Sequence, residues 1–173
     1  GVVIGGAIEE CKKLAEKLDA PVCSGYQHND SFPGSHPLAV GPLGYNGSKA
    51  AMELISKADV VLALGTRLNP FSTLPGYGID YWPKNAKIIQ VDMNPDRIGL
   101  TKKVTVGIAG DAKLVSKQIL DKLSKNAGDK RREDRKNLIH QTKSAWLQTL
   151  TSLDHEDDDP GTVWNKEARE RDK

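Results

Sequence analysis

The run Asp59-Val-Val-Leu-Ala-Leu64, followed at once by Gly65-Thr-Arg67, constrains the fold more than any other stretch of this chain. Five apolar residues in a row, without polar alternation, are the pattern of a strand buried on both faces. Such strands occur in parallel sheets packed between helices. The run therefore predicts a central strand, and its flanks supply the rest of the pattern. Lys87-Ile-Ile-Gln-Val91 and Val104-Thr-Val-Gly-Ile108 read as two further strands, Pro21-Val-Cys23 as a short one, and Gly1-Val-Val-Ile4 as a buried strand leading into Gly5-Gly6.

Helical spacing fills the intervals. Ala7, Ile8, Cys11, Leu14, Ala15 and Leu18 recur at three and four residues, one face of a helix. Ser48 is placed to cap a helix with Ala51, Met52, Leu54, Ile55 and Ala58 inward, and Asp111 one with Val115, Ile119, Leu120 and Leu123 inward. Strands alternating with one-faced helices predict an α/β fold, a parallel sheet with helices on both faces. Residues 24–47 fit neither period. With five glycines and three prolines they read as a long irregular segment, either functional or a surface excursion.

Composition divides the chain near residue 124. Residues 1–123 hold 14 of the 16 glycines, whereas residues 124–173 hold 11 basic and 11 acidic residues in 50 positions. The first part reads as a globular domain. The second reads as a charged, partly helical connector, with an inward face at Leu138, Ile139, Thr142, Ala145, Trp146 and Leu150. Trp146 is expected to bury against a neighbouring domain. Opening at Gly1 and closing on a charged run, the sequence reads as a piece of a longer protein.

With 25 Lys and Arg against 23 Asp and Glu, the net charge of +2 gives no electrostatic basis for binding nucleic acid or an anionic membrane. The apolar runs fall far short of the roughly 20 residues that cross a bilayer. No secretory leader is visible, so a cytoplasmic location is expected, with Cys11 and Cys23 as free buried thiols. The four histidines lack metal-ligand spacing, and the acidic cluster Asp154-His-Glu-Asp-Asp-Asp159 reads as solvated connector. No metal site and no self-contained catalytic site are expected.

Ligands of open parallel sheets bind beyond the carboxyl ends of the strands. Gly5-Gly6 either turns its amides toward a phosphate or simply forms a tight turn. Gly65, Thr66 and Arg67 combine a permissive backbone, a hydroxyl and a guanidinium that can fork onto a pyrophosphate; a surface ion pair is the alternative for Arg67. Asp92 can accept from ribose hydroxyls or brace the turn before Pro95. Gly110 and Asp111 can line the same end, although Asp111 can equally be a pure helix cap.

Five motifs in series carry a resemblance: Phe32-Pro-Gly-Ser-His-Pro-Leu38, Gly41-Pro-Leu-Gly44, Ala58 to Arg67, Ile89-Gln-Val-Asp92 and Gly110-Asp-Ala112. Together they resemble the Rossmann-like central domain of thiamine diphosphate-dependent enzymes, over residues 1–123. Tyr26 to His36, Gly44 to Ser48, Arg67 to Phe71, Pro75 to Trp82, Asn94 to Lys102 and Leu153 to Trp164 are similar to one branch of that family in particular. Its members convert sulfoacetaldehyde and phosphate into acetyl phosphate and sulfite.

The resemblance implies thiamine diphosphate and Mg2+ as cofactors of the longer protein, held by domains outside this chain. It also implies small-molecule substrates and a homo-oligomer. By the same resemblance Gly65, Thr66, Arg67, Asp92, Gly110 and Asp111 would line an FAD or ADP site. Asn46 stands where flavin-using relatives carry histidine, and Leu68-Asn-Pro-Phe71 replaces their acidic-arginine run, which sets an adenine-nucleotide or vestigial site beside the flavin one. An independent adenine-nucleotide or NAD module, and the central FAD domain of an acetolactate synthase-type enzyme, are the alternatives.

Overall fold

In a computed structural model, residues 1–123 and 131–153 are described. Residues 124–130, the acidic cluster 154–159 and Trp164 lie outside them. The elements run α1 (Ile8–Leu18), β1 (Val22–Ser24), β2 (Ala39–Pro42), α2 (Lys49–Ser56), β3 (Val60–Leu64), β4 (Lys87–Asp92), β5 (Val106–Ala109), α3 (Ala112–Lys122) and α4 (Arg131–Leu153), with short 3-10 turns at 29–31, 70–73 and 95–97.

Every strand pair is parallel, as the continuous apolar runs require. β1 pairs with β2, and β3, β4 and β5 form a second sheet with β4 in the middle. Helices cover both faces of the larger sheet. Leu64 joins Ala7, Cys11 and Ala112 of the α1–α3 layer. Val61, on the opposite face, joins the main core of Leu38, Val40, Met52, Leu54, Tyr81 and Ile139. Ser48 caps α2 by accepting from the Ala51 amide at 3.3 Å, and Asp111 caps α3 by accepting from the Lys113 and Leu114 amides at 2.9 and 3.0 Å. Both cysteines are free.

Four expectations need correction. Gly1–Ile4 is not a strand: the Gly5 amide donates to the Gly1 carbonyl at 2.8 Å and Ala7 to Val2 at 2.9 Å, coiling the segment into turns that leave Ile4 exposed. β3 is an edge of its sheet, not its centre, and Val60 remains half exposed. The irregular stretch 24–47 contains β2, a strand hidden by its own Gly41 and Pro42. Proline is tolerated there because β2 is an edge, and Gly41 at φ +95° sits beside a register shift. In α4, Ile139 and Thr142 are buried, but Ala145 and Leu150 face outward.

The first half of α4 is fastened to the body rather than standing free of it. Arg132 pairs with Asp19, Arg135 donates to the Leu18 carbonyl at 2.7 Å, and Lys143 donates to the Pro37 carbonyl at 2.9 Å. The two arginines meet the carboxyl end of α1, where unpaired carbonyls and the helix dipole favour cations. Trp146 packs its ring edge-on against Tyr77 of the same body, 5.4 Å between centroids.

Candidate functional site at the strand ends

The larger sheet ends level. Leu64 lies opposite Val91, which lies opposite Ile108, so the residues that follow each strand emerge side by side. Gly65 takes φ +59°, and its amide donates to the Val91 carbonyl at 2.8 Å. A Cβ there would stand 2.7 Å from the Gly1 α-carbon, so the opening turn crosses directly over this strand end and only glycine fits. The Gly110 amide donates to the Asp92 carbonyl at 3.0 Å, joining the β4 and β5 ends.

The six residues singled out in the sequence thus cluster at one end of the sheet, but their side chains are differently engaged. Thr66 accepts from the Leu68 amide at 3.1 Å, shaping the loop. Asp92 is buried and accepts from the Asn94 amide at 2.9 Å, the brace before Pro95. Asp111 spends one carboxylate oxygen on the α3 cap, and a Cβ on Gly5 would lie 2.9 Å from the other. Arg67 is exposed, with no side-chain partner among the described residues. Of the six, it is the group best placed to meet an anion.

Two features escaped the sequence reading. Gln90 is 1 % exposed in the middle of β4 and clamps the site's loops. Its Nε2 donates to the Thr66 and Arg97 carbonyls, both at 3.0 Å, and its Oε1 accepts from the Gly99 amide at 2.8 Å. The signal was a single amide interrupting an apolar strand. Thr101 reinforces the clamp by donating to the Leu68 carbonyl at 2.7 Å, which holds Leu68 at φ +52°. The second feature is an aromatic cluster: Tyr26, Tyr45 and Phe71 follow β1, β2 and β3, and their rings lie 6.1–6.2 Å apart. Tyr45 and Phe71 are more than half exposed. Here the signal was an aromatic residue shortly past each of three strands.

Burial, not charge, governs the perturbed groups. It pushes the Cys23 thiol up to about 12 and the Tyr81 phenol likewise to about 12. The Tyr81 hydroxyl is enclosed beside the Gly44 backbone without a hydrogen bond of ordinary geometry. A cavity of about 670 Å³ lies elsewhere, between α4 and the β2–α2 region, lined by Leu38, Val40, Ala50, Ile139, Trp146 and Leu147 among others; none of the six site residues borders it. Among the described residues no group of three or more His, Cys, Asp or Glu is fit to hold a metal ion, and no helix is long and apolar enough to cross a membrane.

A wound parallel fold with its loops gathered at the strand ends defines a class, and the family comparison agrees: residues 1–123 match the thiamine pyrophosphate enzyme central domain, and the chain belongs to that family. Within it, the chain is 80 % identical over 171 residues to a probable sulfoacetaldehyde acetyltransferase of Rhizobium meliloti (strain 1021) and 75 % identical over 169 residues to the sulfoacetaldehyde acetyltransferase of Roseovarius nubinhibens. These alignments cover 99 and 98 % of this chain but 29 and 28 % of the relatives, so the chain spans less than a third of their length. A probable acetolactate synthase large subunit of Methanococcus aeolicus is 37 % identical over 88 % of the chain and 24 % of its own length.

Proposed function

We propose that this chain is the central domain of an acetyltransferase that converts sulfoacetaldehyde and phosphate into acetyl phosphate and sulfite. The carrying observation is the identity of 80 and 75 % with proteins of that name across nearly all of this chain, against 37 % for an acetolactate synthase-type relative. The carbon–sulfur bond of the substrate breaks and sulfite leaves. A phosphate oxygen then takes the acetyl carbon, with no external oxidant needed. Thiamine diphosphate with Mg2+, bound outside this chain, supplies the carbanion chemistry. This chain's contribution is positional, with the strand-end loops held by Gln90. Residues 124–173 lead onward to a thiamine-binding domain, and the longer protein works as a cytoplasmic homo-oligomer.

At the strand ends the domain holds an adenine nucleotide, ADP rather than FAD, with the Arg67 guanidinium on a phosphate and Asp92, Gly65, Thr66, Gly110 and Asp111 shaping its seat. Two things support this: Arg67 is free to swing onto an anion, and Asn46 and Leu68-Asn-Pro-Phe71 depart from the flavin-using pattern.

The test is an assay of the full-length protein with thiamine diphosphate and Mg2+. Sulfite and acetyl phosphate should appear in equal amounts, only when sulfoacetaldehyde and phosphate are both present. Production of acetolactate from pyruvate without sulfite would overturn the reading. Calorimetric titration with ADP and with FAD, repeated on Arg67→Ala, tests the nucleotide separately.

A further inference from the structure

We propose that the adenine nucleotide at the strand ends carries a further phosphate on its ribose, held by Arg97, while Arg67 holds the diphosphate and Asp92 the remaining ribose hydroxyl. The inference rests on the nucleotide reading above and adds the class of nucleotide that the site selects.

One buried amide shared by two loops carries it. Gln90 Nε2 donates to the Thr66 carbonyl, next to Arg67, and to the Arg97 carbonyl, both at 3.0 Å. The backbones that bear the two arginines are therefore tied to a single atom. Loop 94–99 is pinned on both sides of Arg97. Asn94 Oδ1 accepts from the Asp96 amide at 3.0 Å, and the Gly99 amide donates to Gln90 Oε1 at 2.8 Å. Ile98 lies so close to β5 that a Cβ on Gly107 would stand 2.5 Å from its Cγ2. Thr101 joins the loops a second time by donating to the Arg67 carbonyl at 3.0 Å.

The two guanidiniums are left unspent. Both arginines are exposed, and neither has a side-chain partner among the described residues. Lys102, from the same stretch, instead lays its ammonium over the Trp82 ring, 4.9 Å from the centroid. A guanidinium on a fixed backbone has less freedom to lose on binding, and its fork matches phosphate oxygens.

The division of labour follows from the chemistry of the two side chains after β4. In wound sheets a carboxylate at a strand end reads ribose hydroxyls, and a nearby arginine accommodates a phosphate on the ribose. Asp92 and Arg97 supply both on one segment. By alternation Gln90 and Asp92 share one face of β4, so the carboxylate stands on the side where Gln90 holds the Arg97 loop. Asp92 is buried and spends Oδ1 on the Asn94 amide. Its second oxygen can accept from one hydroxyl and would repel a phosphate there. The phosphate accordingly sits on the other hydroxyl, toward Arg97.

Calorimetric titration of the full-length protein with ADP, ADP 2′-phosphate and ADP 3′-phosphate, repeated on Arg97→Ala and Arg67→Ala, tests this. One of the two ribose phosphates should bind about tenfold or more tighter than ADP, the gain of a charge-assisted contact. Arg97→Ala should abolish that preference and leave ADP affinity unchanged, whereas Arg67→Ala should weaken all three ligands alike. Equal affinity for the three, or a preference that survives Arg97→Ala, would overturn the inference and leave the ADP site standing. Binding of none of them would overturn both.

Discussion

Replacing Gln90 with leucine removes the clamp beneath the strand-end loops while keeping the volume of the side chain. Three partners lose their bonds: the Thr66 and Arg97 carbonyls and the Gly99 amide. A net hydrogen bond contributes about 1 kcal/mol, and a group left unpaired in a dry site costs about 1–3 kcal/mol. Arg97 and Gly99 are exposed and can turn to water, whereas Thr66 is half-buried. The three therefore sum to about 2–4 kcal/mol, toward the lower figure if the loops relax. For a chain of this size that is a fall of roughly 4–16 °C in melting temperature. Thermal unfolding by circular dichroism gives the number, and amide exchange gives the cause, since Gly99 should exchange markedly faster in the variant. A loss below about 0.5 kcal/mol, or an unchanged Gly99 amide, would refute the clamp, because surface substitutions alone fall in that range.

Other perturbations probe separate parts of the fold. Gly44→Ala forces φ +85° on a residue with a side chain and drives its Cβ into the Phe71 carbonyl, so denaturant unfolding should show a loss of at least about 2 kcal/mol. Ser48→Ala removes the α2 cap and should cost about 1 kcal/mol in the same assay. Folding raises Cys23 from 9.0 and Tyr81 from 10.0, both to about 12, so each group stays protonated in the fold where the unfolded chain would release its proton. Their stabilisation is complete below pH 9 and is lost as pH climbs from 9 to 12; a pH titration of the unfolding midpoint should fall across that window, less steeply in Cys23→Val. Arg67→Ala should leave the melting temperature within about 1 °C and weaken ADP binding about tenfold or more, as expected for a charge-assisted contact.

The elements carried by unbroken apolar runs or clean helical spacing were legible: β3, β4, β5, α1, α2 and α3 fall where Val60–Leu64, Ile88–Val91 and the spaced Leu, Ala and Val residues put them. Misreadings came where local chemistry masks a tertiary role. Gly1-Val-Val-Ile4 has strand composition, yet Gly5 and Gly6 let it coil. β2 has the glycine and proline of a loop, yet its neighbour β1 supplies the pairing. The shared location of the six residues was legible because strand ends announce themselves by a glycine or a carboxylate after an apolar run. Gln90 was missed because a buried amide gains meaning only from carbonyls 24 and 7 residues away.

The same contrast bears on why a domain without an evident catalytic group is so firmly built at its strand ends. Gln90 and Thr101 both act on the β3 loop through its carbonyls, not its side chains. The loop backbone is therefore fixed while the Arg67 guanidinium is left free. Fixing the backbone beforehand lowers the ordering entropy that any ligand or neighbouring surface must overcome, which is the usual logic of a preorganised contact. A nucleotide at Arg67 and a protein surface over Tyr45 and Phe71 would both gain from that rigidity. They part in the Gln90→Leu variant of the full-length protein. On the proposed function, loosening a nucleotide seat weakens ADP binding and spares the proposed acetyl transfer, whereas loosening an interface lowers that activity and leaves ADP affinity unchanged.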